Sequence, residues 1–346
     1  MKKQKYALNL LLILALTGFA LWFALKDNFH QVLKCISQMN LLSLVIVLLW
    51  GVLFTAVWGF VYYVLGRKYT ENYTPGKGML VAFIGSFFSG ITPSSTGGQF
   101  VQAYIMKKQG IKVSDGASLL WADFIIYQTT MMVYVSILFL LRFAYYSAQS
   151  AWFNFILLGY IVNAVVVVAL YTIALFPNLY IKLSRILVQV LTKLHILKNP
   201  EKTLDSWTLQ VTSFTREIKV LAKDKKSILL CVCINVVRLS LYYSLPFVIA
   251  LALHIPLKMN EFIDVMALSS FVTMANSFIP IPGASGGTEV VFSLLFNSLM
   301  KDLTGAVLVL WRFSTYHIVL IIGGILFVFV KNHYERKESK INLEGM

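Results

Sequence analysis

Four ionisable side chains, Asp123, Arg238, Glu289 and Arg312, lie inside long apolar runs of this chain. If those runs cross a bilayer, each charge costs at least about 2.5–3.5 kcal/mol on insertion scales and must face the protein interior or a watery cavity with a partner. Two arginines can grip a phosphate, and a carboxylate can take an amine or carry a proton. An Asp123–Arg312 pair is the first expectation. It either staples two halves of the protein together or engages a substrate, with Arg238 and Arg312 receiving a phosphate and Asp123 a cationic group or proton. Residue types leave both readings open.

The elements that would position these groups are broken helices. TPSSTGG carries Pro93, Gly97 and Gly98, and IPGASGG carries Pro282, Gly286 and Gly287. Proline and paired glycines interrupt a helix. Backbone freed at membrane depth is tolerated only where it packs in protein or lines a cavity, so a matched pair of breaks points to a binding site. Glu289 stands at the start of the returning half-helix, as an N-terminal cap or as a group that binds an amine or carries a proton. The amides of Gly97, Gly98, Gly286 and Gly287 are candidates to cradle anionic oxygens. Gln99 holds a comparable place to Glu289 in the first hairpin but is neutral, and Gln102 follows one turn later.

Composition sets the medium. The chain has 346 residues, 58% of them hydrophobic and 13% charged, well below the roughly 25% charged residues of soluble domains. An all-α polytopic membrane protein is expected, with full spans near 6–25, 41–65, 116–141, 152–176, 228–253 and 304–330. Residues 6–25 read as a retained helix rather than a cleaved signal. Two shorter hairpins, 78–109 and 261–300, have arms too short to cross comfortably and read as re-entrant; ten full crossings is the alternative.

Basic residues concentrate on one side of the resulting map. Segments 1–5, 66–77, 107–114, 177–227 and 331–346 hold 23 of the 30 Lys and Arg, the outer loops five, and Arg238 and Arg312 are intramembrane. The positive-inside rule then makes both termini cytoplasmic. Pro93 to Pro282, Gly97 to Gly286 and Asp123 to Arg312 share an offset of 189 residues. Two inverted repeats follow, 41–141 and 228–330, preceded by 1–40, separated by a linking span 142–176 and segment 177–227, and followed by a tail 331–346.

Segment 177–227 has ten basic and four acidic residues and apolar positions at helical spacing, including Leu179, Leu183, Ile186 and Val190. It reads as amphipathic helices on the inner leaflet, either as a topology signal or as a collector of anionic lipid. Asp264 is expected near the membrane interface and His317 as a packing residue. Cys35, Cys231 and Cys233 suggest neither disulfide framework nor metal site, and no phosphate-binding GxxxxGK[ST] loop occurs. Neither cofactor nor metal is called for. The net charge of +15 is explained by topology, without nucleic acid.

The runs TPSSTGGQFVQAYIMKKQGIKVSDGASLLWADFIIYQ (92–128) and FIPIPGASGGTEVVF (278–292) resemble the lysylphosphatidylglycerol synthase/flippase transmembrane family, specifically its short stand-alone members from Gram-positive bacteria. The resemblance covers nearly the whole chain. In two-domain relatives, the multiple peptide resistance factors, this membrane part moves aminoacylated phosphatidylglycerol between leaflets and a separate cytosolic domain attaches the lysine. With the sequence ending after a basic tail at Met346, lysyltransferase activity is not expected of it. Where many distant members carry an acidic residue and an arginine after the first glycine motif, this chain has Gln99 and Gln102. The resemblance implies translocation of a membrane lipid, such as a phosphatidylglycerol derivative or glycolipid, with a separate synthase or a second copy as possible protein partners. A membrane component of a phosphatidylglycerol lysyltransferase and transport of a polyprenyl-phosphate-linked lipid are the alternatives.

Overall fold

A computed structural model describes residues 39–92, 95–142, 150–194, 199–276 and 281–344, with isolated positions 34, 37, 196, 197 and 279. The expected span 6–25, Pro93 and Cys35 lie outside the described residues. Among those described, the chain is helical with no strand.

The first half opens with α1 (Leu41–Gly66), capped by Asn40, whose side chain accepts from the Leu42 amide at 2.9 Å. Then come two short helices, α2 (Pro75–Gly90) and α3 (Thr96–Lys108), and the long α4 (Val113–Leu141). Thr74 caps α2 with proline at the first helical position, where its missing N–H is harmless. Helices α5 (Ser150–Leu175), α6 (Pro177–Lys193) and α7 (Pro200–Lys223) lead to α8 (Lys225–Ala252). Two more short helices, α9 (Phe262–Asn276) and α10 (Gly287–Met300), precede α11 (Thr304–Arg312), which passes through a π turn (Phe313–His317) into α12 (Ile318–Glu344).

At 1.5 Å per residue the four short helices measure about 20–24 Å, less than the roughly 30 Å of hydrocarbon. Five segments are long and apolar enough to cross it: α1, α4, residues 157–175 of α5, α8, and one within Pro282–Lys331. Large apolar side chains such as Leu49, Val133, Leu140, Val168 and Phe329 are exposed around the bundle, where lipid rather than water must cover them. The chain folds as an all-α polytopic membrane protein. The last span, expected as one continuous helix over 304–330, is interrupted by the π turn. Segment 177–227 separates into α6 and α7, which bury Val188 and Phe214 and leave Leu179, Leu183, Ile186 and Val190 exposed.

Polar contacts sort the loops to two ends. At one end, Lys68 meets Asp224 at 2.6 Å, the Tyr73 hydroxyl donates to Gln109 Oε1 at 2.7 Å, and Gln109 Nε2 donates to the Lys77 carbonyl at 3.1 Å. The start of α2 and the end of α3 therefore lie together. At the other, Arg142 after α4 pairs with Asp264 at the start of α9 at 3.0 Å and donates to the Asn260 carbonyl. Among the described residues two large apolar cores pack the bundle, one around α1, α2 and α3, the other around α8, α9, α10 and α11, and a smaller cluster of Ile125, Leu170 and Phe214 joins α4, α5 and α7.

Candidate functional site

Both breaks keep the backbone irregular with few residues. Between α2 and α3, Ser95 adopts a positive φ of 55°; between α9 and α10 a single 3-10 turn, Pro282–Ala284, contains Gly283 at φ 60°. Tyr316 of the π turn holds the two breaks against each other. Its hydroxyl donates to the Gly90 carbonyl at 3.0 Å, and a Cβ on Gly283 would collide with that same hydroxyl. Glycine at 283 is thus required by conformation and by space.

Beside this junction lies a cavity of about 450 Å³. Ser86, Ser89 and Ser95 line it from the first hairpin, Asn276, Gly283 and Ala284 from the second. Trp58 of α1, Tyr242 of α8, and Arg312 and Tyr316 complete the wall.

Arg312 is the cation at this wall. Its Nε donates to Glu289 Oε1 at 2.7 Å, and Nη2 makes longer bonds to the Gly283 carbonyl at 3.2 Å and Ser285 Oγ at 3.3 Å. The guanidinium sits 4.5 Å from the Tyr316 ring centroid. The other carboxylate oxygen of Glu289 accepts from the Gly286 amide at 2.7 Å, so one side chain caps α10 and neutralises Arg312. Nη1 has no hydrogen bond among the described residues, which leaves one edge of the fork for a ligand in the cavity.

A second charged cluster lies behind Trp58. Arg238 is caged by three rings, with its guanidinium carbon 4.4 Å from Trp58, 4.7 Å from Tyr127 and 4.9 Å from Phe54. Nη1 reaches Asn235 Oδ1 at 3.4 Å, Nε is buried without a partner, and no carboxylate pairs with it among the described residues. The ring faces attract the cation, and the Asp123 carboxylate, beyond salt-bridge distance, interacts with it electrostatically. Trp58 Nε1 donates to Asp123 Oδ2 at 3.0 Å, whereas buried Oδ1 has no partner at hydrogen-bond distance. Tyr62, close enough to Asp123 to interact with it, accepts from Gln102 Nε2 at 2.8 Å.

Several expectations change here. The Asp123–Arg312 pair does not form: Glu289 and the neighbouring loop take the donors of Arg312, and Asp123 is held by Trp58. The amide cradle is partly closed, because the Gly97 N–H goes to Thr92 Oγ1 at 2.9 Å and that of Gly286 to Glu289. Gly97, Gly98 and Gly287 are small for packing: a Cβ would meet Thr92, Ser89 and Ile279, respectively. Gln99 is exposed on the far side of α3, and Gln102 is buried against Tyr62, so neither lines the cavity. Pro282 is buried in the second break. Asp264 pairs with Arg142 at the end of the bundle, and His317 stacks on Phe313 with Nδ1 3.2 Å from the Arg312 carbonyl.

Sequence reasoning passed over Trp58, Tyr62, Tyr127 and Tyr316, since aromatics in an apolar run carry no signal of their own. The spacing of Trp58 and Tyr62, four residues apart on α1, was the available clue that one helix face is polar-tipped. Among the described residues, no group of three or more His, Cys, Asp or Glu is placed to hold a metal ion.

Two comparisons with known proteins bear on identity. A UPF0104 membrane protein of Archaeoglobus fulgidus is 23% identical over 333 residues, spanning 92% of this chain and 94% of that protein. The family model described as the lysylphosphatidylglycerol synthase TM region matches residues 7–323. The chain therefore belongs to the lysylphosphatidylglycerol synthase transmembrane-region family.

Proposed function

We propose that this protein is a lipid flippase or scramblase of the bacterial plasma membrane, with both termini cytoplasmic. The observation that carries the reading is the polar cavity of about 450 Å³ at the junction of two helix breaks, with the fork of Arg312 open on one edge. A phosphodiester headgroup enters this cavity while its acyl chains stay in the bilayer. Arg312 receives the phosphate and Arg238 supports it electrostatically from behind Trp58; Asp123, behind the same ring and outside the cavity lining, attracts a headgroup amine at a distance where the lipid has one, while Glu289 keeps Arg312 aimed. Phosphatidylglycerol, its lysyl derivative and anionic glycolipids fit these demands.

The order long, short, short, long in α1–α4 recurs in α8–α12. An inverted repeat of two re-entrant hairpins accounts for that order and for the short arms. The hydrogen bond from Gln109 to Lys77 supports re-entry of the first hairpin, because it ties the hairpin's entry and exit to one end of the bundle. Opposing motion of such repeats exposes a shared midplane site to alternate leaflets. Purified protein reconstituted into vesicles with leaflet-specific labels on phosphatidylglycerol, lysylphosphatidylglycerol and a glycolipid should accelerate exchange of at least one. Arg312→Gln should abolish the acceleration. Unaccelerated exchange of all three in a folded preparation refutes the proposal.

A further inference from the structure

A second concavity, an open groove of about 440 Å³ between α3 and α4, lies away from the breaks. Phe100, Tyr104, Trp121 and Phe124 form its walls, and no carboxylate lines it. Phe100 is 78% and Tyr104 45% exposed, so the groove presents apolar surface to the surroundings of a membrane protein. Helix α7 bounds it on one side, where Phe214 packs edge-on against Trp121 with ring centroids 5.0 Å apart.

The two ends of the groove differ in chemistry. One is marked by Lys107, exposed in the last turn of α3 and without an ion pair among the described residues. Lys107 lies two residues before Gln109, whose bonds to Tyr73 and Lys77 place it at the basic end of the bundle. The other is marked by Gln99, about one helical turn from Ser95 in the wall of the central cavity. From Gln99 to Lys107 the helix rises about 12 Å, enough for a stretch of hydrocarbon chain lying along α3.

We propose that the α3–α4 groove is a binding site for one acyl chain of an anionic glycerophospholipid, with the lipid phosphate on Lys107. The walls select hydrocarbon, and Lys107, the one cation in the groove's described lining, selects the headgroup charge. One lysine beside a phosphate contributes about a fivefold preference over a zwitterionic lipid. The site rests on the translocation reading only in that its inner end leads toward the cavity; occupancy itself requires no transport.

Trp121 in the wall makes occupancy measurable by fluorescence. The full-length protein is reconstituted into phosphatidylcholine vesicles doped with either phosphatidylglycerol or phosphatidylcholine carrying brominated chains, and the contribution of Trp121 is isolated by subtraction of Trp121→Phe, which keeps a ring against Phe214. Half-maximal quenching of Trp121 is expected at an about fivefold lower mole fraction of the brominated anionic lipid. In Lys107→Gln, an exposed change that leaves the fold intact, the two lipids should quench equally. Equal quenching in the unmodified protein, or a preference that survives Lys107→Gln, overturns the proposal. Quenching without leaflet exchange keeps the site and removes the translocation reading, whereas exchange without selective quenching removes only the site.

Discussion

Glu289 serves two donors with two oxygens, and the energetics of its loss follow from that geometry. Oε1 meets Arg312 Nε and Oε2 meets the Gly286 amide, both at 2.7 Å, with the Glu289 side chain 1% and that of Arg312 6% exposed. Glu289→Gln preserves volume but has one acceptor oxygen, so its amide N–H must face either the Gly286 N–H or the arginine. Stranding one member of a buried pair costs about 3–5 kcal/mol, of which about 1 kcal/mol is the lost cap. Arg312→Gln should cost a similar amount, since Glu289 keeps only one neutral donor. The double substitution removes both buried charges and should cost about as much as either single change, leaving a coupling of at least about 2 kcal/mol. Denaturant unfolding of the detergent-solubilised protein, followed by tryptophan fluorescence, measures all three. Trp311, stacked 5.0 Å from Phe292 beside this pair, is a local reporter. Additivity within about 0.5 kcal/mol would refute the shared buried pair.

Three further outcomes are expected. Arg238→Met fills the ring cage but takes away the cation that faces buried Asp123, so both the unfolding midpoint and anionic-lipid exchange should fall, and adding Asp123→Asn should restore the midpoint alone; recovery of exchange in the double variant would show the cation to be structural. Gly51 packs against the Ser314 carbonyl with no room for a Cβ, so Gly51→Ala should lose about 1–3 kcal/mol. Gly76→Ala, which meets only Thr74 Oγ1 at 4.0 Å, serves as its neutral thermal-melt control. Bonding to Lys68 and Ser227 holds the Asp224 carboxyl down at about 2, below the usual value near 3.9. Its contribution to the start of α8 is therefore present above about pH 4 and fades as pH falls toward 2. The carboxylate is 38% exposed, so the effect is small and weakens with salt; amide-exchange protection of the first turn of α8, compared with Asp224→Asn, should lose this acid sensitivity.

The bilayer made the described spans legible, because long apolar runs follow from composition, whereas their caps, Asn40 and Thr74, emerged only with the structure. The breaks within TPSSTGG and IPGASGG were legible for the same reason: residues unsuited to a helix stand out against an apolar background, although Gly97 falls inside α3 and the turn beside Tyr316 is made by Gly283. Helix rotation was not. An evenly apolar helix fixes no face, so nothing in the sequence said that Arg312 turns toward Glu289 and Asp123 toward Trp58. The cage around Arg238 gathers Phe54 and Trp58 from α1 and Tyr127 from α4, a convergence that only tertiary packing reveals. Gln99 was placed by analogy with Glu289, but Gln99 is exposed at the α3–α4 groove whereas Glu289 is buried against Arg312.

The π turn at Phe313–His317 separates two alignment problems that one regular helix would have had to solve together. An extra residue in a single turn offsets everything beyond it by about 100° around the axis. Upstream, Arg312 is aimed at Glu289; downstream, Gly323 is pressed against the Phe83 carbonyl of α2. Deleting one residue from the turn would restore a continuous helix and force those two orientations to compete. The arginine's aim and the seating of α12 are thus independently adjustable, like two keys cut on one shaft with a joint between them.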